Sequence, residues 1–425
     1  MFFVPGRLPA ICVFVSSVLL AAGAHAQQNI PLTLAEAEDL ALDSEPGQAA
    51  LTARADALAE QSIVAGQLPD PTLRVGLNNF PIEAGGFSTE GMTHALIGLR
   101  QAFPAGKTRS ISTRKLVSLA DEMNASAGAR GRDVLTAVRQ AWLDAYYWQQ
   151  AHELVSESRP FFDDLAEITR SLYAVGRRNQ QDVLRAELEL SRLDDRLIDI
   201  DRHRGQAQAA LGEWIGNKAH RPIALKLPAW DQPPSREVLL NSLPAHPALL
   251  AADAQIAAHK AGVDLAEEEF KPGWALDLGY SYREGHLPSG DPRSDFISLS
   301  VTVDLPFFGR KNRQDRSLAA ALSERRAATN EREQLSRRLT SQLDADYSRW
   351  HEIDRRLELY ETRILPQTAD QSRAALGAYQ SDRGDFADVM RGYIDDLNAR
   401  LDHTRLQVER AQSYAVLANL GGLPR

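Results

Sequence analysis

From Arg310 to Leu365 the chain runs 56 residues without a glycine or a proline. As one helix, at about 1.5 Å per residue, that stretch would reach roughly 84 Å. A helix so long does not fit inside a compact domain; it has to lie beside other helices along an extended body. Just before it, Ile297, Leu299, Val301, Val303 and Leu305 alternate with Ser298, Ser300, Thr302 and Asp304, the two-residue period of a strand with one apolar face. Any fold for this chain has to explain why such a strand leads directly into such a helix.

The combination is written twice. Residues 45–78 align with 246–279 at an offset of 201, matching Pro46/Pro247, Ala50/Ala251, Ala53/Ala254, Ala57/Ala258, Ala65/Ala266, Pro71/Pro272 and Leu77/Leu278. Pro104 answers Pro306, and Asp144 and Trp148 answer Asp346 and Trp350. The stretch YAVGRRNQQDVL (173–184) answers YQSDRGDFADVM (379–390) at offset 206, pairing Tyr173 with Tyr379 and Asp182 with Asp388. Self-similarity on this scale means a duplicated architecture. Residues 27–220 and 221–425 form the two repeats. Each reads as an Ala-rich helix (33–67; 235–270), two strands (72–80 and 92–103; 273–283 and 294–305), a very long helix (107–159; 310–365), a break and a returning helix. The expected fold is mainly α, with long antiparallel helical hairpins and a small β part of four strands.

Residues 1–26 have the pattern of a secretory leader: Arg7, the apolar run 10–22, and Ala24-His25-Ala26 as a cleavage site. The sole cysteine, Cys12, falls within it, so the mature chain is expected to have no disulfide, no thiol nucleophile and no Cys metal ligand. Cys12 lacks the small-residue context of a lipid-anchor site. The net charge of −9 argues against nucleic acid as a partner. No later stretch approaches 18 apolar residues, so entry into a membrane would have to use strands.

Strands of about ten residues suit a tilted transmembrane strand. Phe80, Phe103, Tyr280, Tyr282, Phe296, Phe307 and Phe308 gather near strand ends, where rings meet a membrane–water interface. The second strand is ambiguous, with Ala95, Ile97 and Leu99 on one face but Leu96 on the other. A soluble half-buried sheet alternates in the same way; the long helices, with seams such as Leu318/Leu322 and Leu335/Leu339/Leu343, favour the membrane. Four strands cannot close a barrel, and an open edge in lipid leaves backbone groups unpaired. The membrane reading therefore requires several chains. On that reading Pro104, Pro306, Phe307, Phe308, Gly309 and Arg310 form the membrane-interface turns, and Asp304 lies on the lumen face near the mouth.

No nucleophile elbow, phosphate loop, dinucleotide fingerprint or zinc signature is present, and the histidines are scattered. No enzyme activity, cofactor or metal site is expected. The run Glu267-Glu268-Glu269 reads as solvation of a helix end, or as part of a tunnel lining.

The leader, the duplicated halves, the LPFFGRKNR turn (305–313) and the paired stretches at 173–184 and 379–390 resemble the TolC-type outer-membrane efflux channels. The stretch 246–280, HPALLAADAQIAAHKAGVDLAEEEFKPGWALDLGY, is most similar to the branch serving cobalt–zinc–cadmium and copper efflux. The resemblance implies a homotrimer in outer-membrane lipid, with one shared β-barrel and a helical tunnel. A periplasmic adaptor and an inner-membrane pump, of the proton-driven resistance-nodulation-division type, would dock at the tunnel's far end. It also implies a constriction at the hairpin tips, where Asp182 and Asp388 match the motif acid and Tyr173 and Tyr379 the aromatic before the turn. The chain departs from the pattern at Arg185 and Arg391, where a second Asp is often found. It departs again at Asp382-Arg383-Gly384, set against Val175-Gly176-Arg177. A mixed gate of Asp182 and Asp388 against Arg177, Arg178, Arg383 and Arg391 is the expectation. The alternative is that these charges only solvate the tips, with Asp382 and Asp385 as helix caps. For the whole chain, multidrug efflux, protein secretion or a soluble periplasmic coiled-coil scaffold remain alternatives.

Overall fold

The computed structural model describes residues 30–43, 45–177, 179–230, 232–306 and 313–422. The leader, Arg178 and the turn residues Phe307, Phe308, Gly309 and Arg310 lie outside them.

The element order repeats as read. The first half has α1 (Leu34–Asp43), α2 (Pro46–Gly66), β1 (Thr72–Asn78), β2 (His94–Phe103), α3 (Thr108–Ala174) and α4 (Gln180–Ile215). The second has α5 (Arg236–Ser242), α6 (Pro247–Glu268), β3 (Trp274–Tyr282), β4 (Phe296–Val303), α7 (Arg313–Leu359), α8 (Leu365–Gln380) and α9 (Phe386–Gly421). Each expected Ala-rich helix is split, because Pro46 and Pro247 open new helices at the first helical position, where a missing N–H costs nothing. His246 caps α6, its Nδ1 accepting from the Ala248 N–H at 3.2 Å.

The long helices run further than expected. α3 continues through Pro160 to Ala174 rather than ending at 159. In the second half a single π turn, Tyr360–Ile364, joins α7 to α8, and Pro366 opens α8. The Leu365 N–H donates to the Tyr360 carbonyl five residues back. The backbone ladder is thus already widened where proline withholds its donor.

The described residues divide into two compact units, each drawing on both repeats. One takes the described residues within 30–45, 131–242 and 341–422, the other those within 46–130 and 243–340. In the first, one core gathers Leu32 and Leu34 with Val134, Val138 and Trp142 of α3 and Leu211 of α4. A second joins four helices through Val155, Phe162 and Leu165 of α3, Leu193 and Ile200 of α4, Tyr379 of α8 and Phe386, Val389, Met390 and Leu397 of α9. The buried residues Ala186, Leu193, Ile200 and Ala207 recur every seven residues, a coiled-coil seam. Of the seams read on α7, Leu339 and Leu343 are buried while Leu322 stays exposed.

The first unit also holds a buried ion pair. Arg139 donates to Glu38 at 2.6 Å with both side chains only 6% exposed, tying α1 to α3.

The second unit carries the sheet. Its strands are antiparallel in the order β1-β2-β3-β4, so a strand from each repeat meets at the centre, with Ile97 opposite Tyr280 and Leu99 opposite Leu278.

Candidate membrane sheet and hairpin tips

The register decides which side chains share a face. Val75 stands opposite Ile97, Ile97 opposite Tyr280, and Tyr280 opposite Ile297. The next row on that face is Leu73, Leu99, Leu278 and Leu299. These side chains are bare: Val75 is 75% exposed and Ile297 79%. An apolar face of this extent is costly in water and matches hydrocarbon. Aromatic rings stand at both ends. Phe103 stacks on Trp274 at 4.0 Å where the sheet joins the helices, and Phe87 stacks on Tyr282 at 6.1 Å at the loop end.

The opposite face is polar. Asp277 pairs with Arg74 at 3.1 Å and Arg100 at 3.7 Å, and Ser298, Ser300 and Thr302 line β4. Leu96, the ambiguous residue, lies on this side over Gly279. The loops beyond the strands are clasped by arginines. Arg293 donates to the Ser88, Glu90 and Glu284 carbonyls, and Arg283 donates to Gly91 and covers the Phe296 ring at 3.8 Å. The outer edges of β1 and β4 pair with no strand among the described residues.

Where β2 turns into α3, Glu268 is not the solvated helix end that its acidic run implied. It is buried, accepts from the Lys107 N–H at 2.8 Å and pairs with Lys271 Nζ at 2.6 Å. The Lys271 ammonium, then the Lys107 N–H, hold its carboxyl below the ordinary value. Gly106, at φ 47°, leaves no room for a Cβ against that carboxylate. Pro104 closes β2 just before this turn. Asp304 is exposed after β4, and its N–H donates to Gly273 at 2.8 Å.

Both hairpin tips close with the same helix-end motif. After α3, Gly176 donates to the Tyr173 carbonyl and Arg177 to Leu172; after α8, Asp382 donates to Tyr379 and Arg383 to Ala378. Gly176 (φ 71°) and Asp382 (φ 60°) both take the left-handed conformation, so Asp382, a residue that tolerates it, stands where the first half has glycine. Asp385 is in the N-cap position of α9, but its side chain makes no capping hydrogen bond.

The tips differ in burial. Tyr173 is 45% exposed, whereas Tyr379 is 5% exposed and packs on Phe386 at 5.6 Å. Gly392 of α9 crosses Ser372 of α8 so closely that a Cβ would lie 3.1 Å from the Ser372 Cα. Among the described residues, the charges expected to form a gate are not joined in one ion-pair cluster. Asp388 pairs with Arg391 on its own helix at 3.3 Å. Arg177 and Arg383 are exposed. Among the described residues no ion pair reaches Asp182, and Arg178 lies outside them.

The Arg74–Asp277–Arg100 group and the Glu268 latch were not picked out in the sequence. Asp277 could have been noticed as a charge inside an apolar-alternating strand, but its partners depend on register.

Together, duplicated hairpins and a four-stranded sheet are the fold of TolC-type outer-membrane channels. The solved structure of the outer-membrane channel OprN superposes with a TM-score of 0.75 at 18% identity, over 92% of this chain and 90% of that one. The Campylobacter jejuni outer-membrane channel CmeC gives 0.77 at 13% identity, over 92% and 85%. In sequence, the chain is 28% identical over 415 residues to Protein CyaE of Bordetella pertussis, covering 93% of this chain and 85% of CyaE. No protein-family model matches the sequence.

Proposed function

We propose that this chain is the outer-membrane channel subunit of a tripartite efflux system, a passive exit duct across periplasm and outer membrane. The observation that carries the reading is the sheet: apolar side chains bare on one face, paired charges on the other, and two open edges. Such a sheet is satisfied in lipid only when β4 of one copy meets β1 of the next, closing a barrel with the charged face on the lumen. Three copies give twelve strands, the homotrimer implied by the resemblance. The hairpins then form the periplasmic tunnel, whose tips meet an adaptor and a proton-driven inner-membrane pump. No helix among the described residues is long and apolar enough to cross a membrane.

For cargo we propose heavy-metal cations, supported by the likeness of residues 246–280 to the metal-efflux branch. Among the described residues no three His, Cys, Asp or Glu side chains converge on a metal-binding arrangement. A wide duct need not bind what passes through it, and selection would rest with pump and adaptor.

The test is growth of a deletion strain and its complemented twin on zinc, cadmium, cobalt, nickel, copper and silver, beside dyes and antibiotics. Metal sensitivity alone is expected. Sensitivity to organic compounds with unchanged metal tolerance would keep the duct and overturn the cargo. Recovery of the protein wholly as a soluble periplasmic species would overturn the duct.

A further inference from the structure

The two hairpins are duplicates, yet they are not anchored alike. The repeat offset is 202 at Trp148/Trp350 and Val155/Leu357, and 206 from Pro160/Pro366 onward, so the second repeat carries four extra residues between Leu357 and Pro366. The returning helices α4 and α9 are both 36 residues long, so nothing in α9 matches the insertion. Four residues exceed one helical turn without completing two, and such an insertion locally unwinds a coiled coil. Here it falls on the π turn Tyr360–Ile364, beside Pro366. Pro160, the counterpart of Pro366, is passed by unbroken α-helix.

Beyond the π turn, α8 is held by little. Of its 16 residues only Ser372 and Tyr379 are buried. The equivalent stretch of α3, 159–174, buries Phe162, Leu165, Ala166 and Thr169. Two ion pairs also tie that stretch to α4, Arg159–Asp194 at 2.7 Å and Arg170–Glu187 at 2.9 Å. Their counterparts in the second repeat are Leu365 with Arg400 and Leu376 with Tyr393, and neither combination can form an ion pair. α8 rests on α9 where Ser372 crosses Gly392, with the Thr368 hydroxyl 3.2 Å from Asp396. A crossing of small residues lacks the interlocked knobs that fix a coiled coil.

Both ends of α8 are special. The π turn is pinned to α9, with His403 Nε2 3.2 Å from Glu361 and the Tyr360 hydroxyl donating to Asp402 at 3.4 Å. At the other end Asp382 takes the left-handed conformation. α9 itself is fixed by Phe386, Val389, Met390 and Leu397 in the four-helix core.

We propose that α8 is a strap that lifts off α9 between the π turn and the Asp382 turn, while α9 stays on the core. Segments with few buried apolar contacts are the first to open. Lifting uncovers the Gly392 face of α9 and gives up the burial of Ser372 and Tyr379. The strap is a property of one chain and does not rest on the duct reading.

The duplication supplies the test. Ser372 answers Ala166 at offset 206, and both are buried, at 4% and 2% exposed. In a Cys12→Ser background, Ser372→Cys, Ala166→Cys and Met390→Cys are made singly in the full chain, purified in detergent and reacted under native conditions with a water-soluble maleimide. Ser372→Cys is expected to label about 100-fold faster than either of the others, or more. Equal rates for Ser372→Cys and Ala166→Cys overturn the strap. Met390→Cys labelling as fast as Ser372→Cys also overturns it, because α8 and α9 would then leave the core together. If a variant fails to fold, hydrogen exchange of the unaltered chain decides. A lifted helix of this length is marginal in water, so α8 amides should exchange about 100-fold faster than those of 159–174 and of the first turns of α9. Equal protection overturns the proposal.

Discussion

The sheet and the helical cores are built on opposite plans. In the sheet, Leu299 and Val75 face outward and the charges of Arg74, Arg100 and Asp277 gather on the other side. In the helical unit, Val138, Trp142 and Leu211 face inward, and most charges lie outside. The difference tells which surroundings each part was selected for. One chain holds an inside-out sheet and a conventional core, and substitutions separate the two.

The largest effect is expected where the helical unit breaks its own plan, at the buried pair. Glu38→Ala leaves Arg139 buried without its counter-charge, and should destabilise by about 3–5 kcal/mol. Thermal loss of helix in the purified protein measures it, and a compensating Arg139→Met should recover much of the loss. Next come two neighbours on opposite faces of β4. Leu299→Arg puts a charge on the outward face, at about 2–4 kcal/mol per chain near mid-membrane. Ser300→Arg should be tolerated. Heat-modifiable migration of outer-membrane extracts separates them; equal effects would mean that the outward face does not meet lipid.

At the junction, Glu268→Ala strips the Lys107 N–H of its acceptor and should cost about 1–3 kcal/mol. Because the Glu268 carboxyl is held low, its stabilising contribution is present above the ordinary glutamate value of about 4.3 and is lost as pH falls through its lower folded value. Glu268→Gln should therefore flatten the acid limb of stability. The smallest energies belong to the tips. Exposed pairs such as Asp388–Arg391 are worth about 0–1 kcal/mol each. Asp182→Ala with Asp388→Ala should nevertheless raise single-channel conductance in planar bilayers. Unchanged conductance would remove both residues from the gate.

Much of this plan was legible in the sequence, for definite reasons. The alternation at 297–305 marked a strand because period two is a local property, and the 201–206 offsets exposed the duplication without any structure. What was lost depended on partners. Asp277 acquires meaning only from a register that sets Arg100 opposite it. Glu268 looked like one of three solvated acids until the turn at Gly106 brought the Lys107 N–H to it. Pro160 looked like a helix end because proline lacks a donor, yet packing on both sides carries α3 through. Tyr173 and Tyr379 are equivalent in sequence, and only tertiary contact makes one bare and the other buried.

The two open edges of the sheet also set a clock. A freshly made chain presents unpaired strand backbone and an apolar face at once, and any other exposed strand is an acceptable neighbour until the right one arrives. If the barrel is shared as proposed, correct pairing depends on a second copy, so its rate rises with concentration, as does the rate of every wrong pairing. Low expression would starve assembly and high expression would favour aggregates. The yield of native protein should therefore peak at an intermediate rate of synthesis.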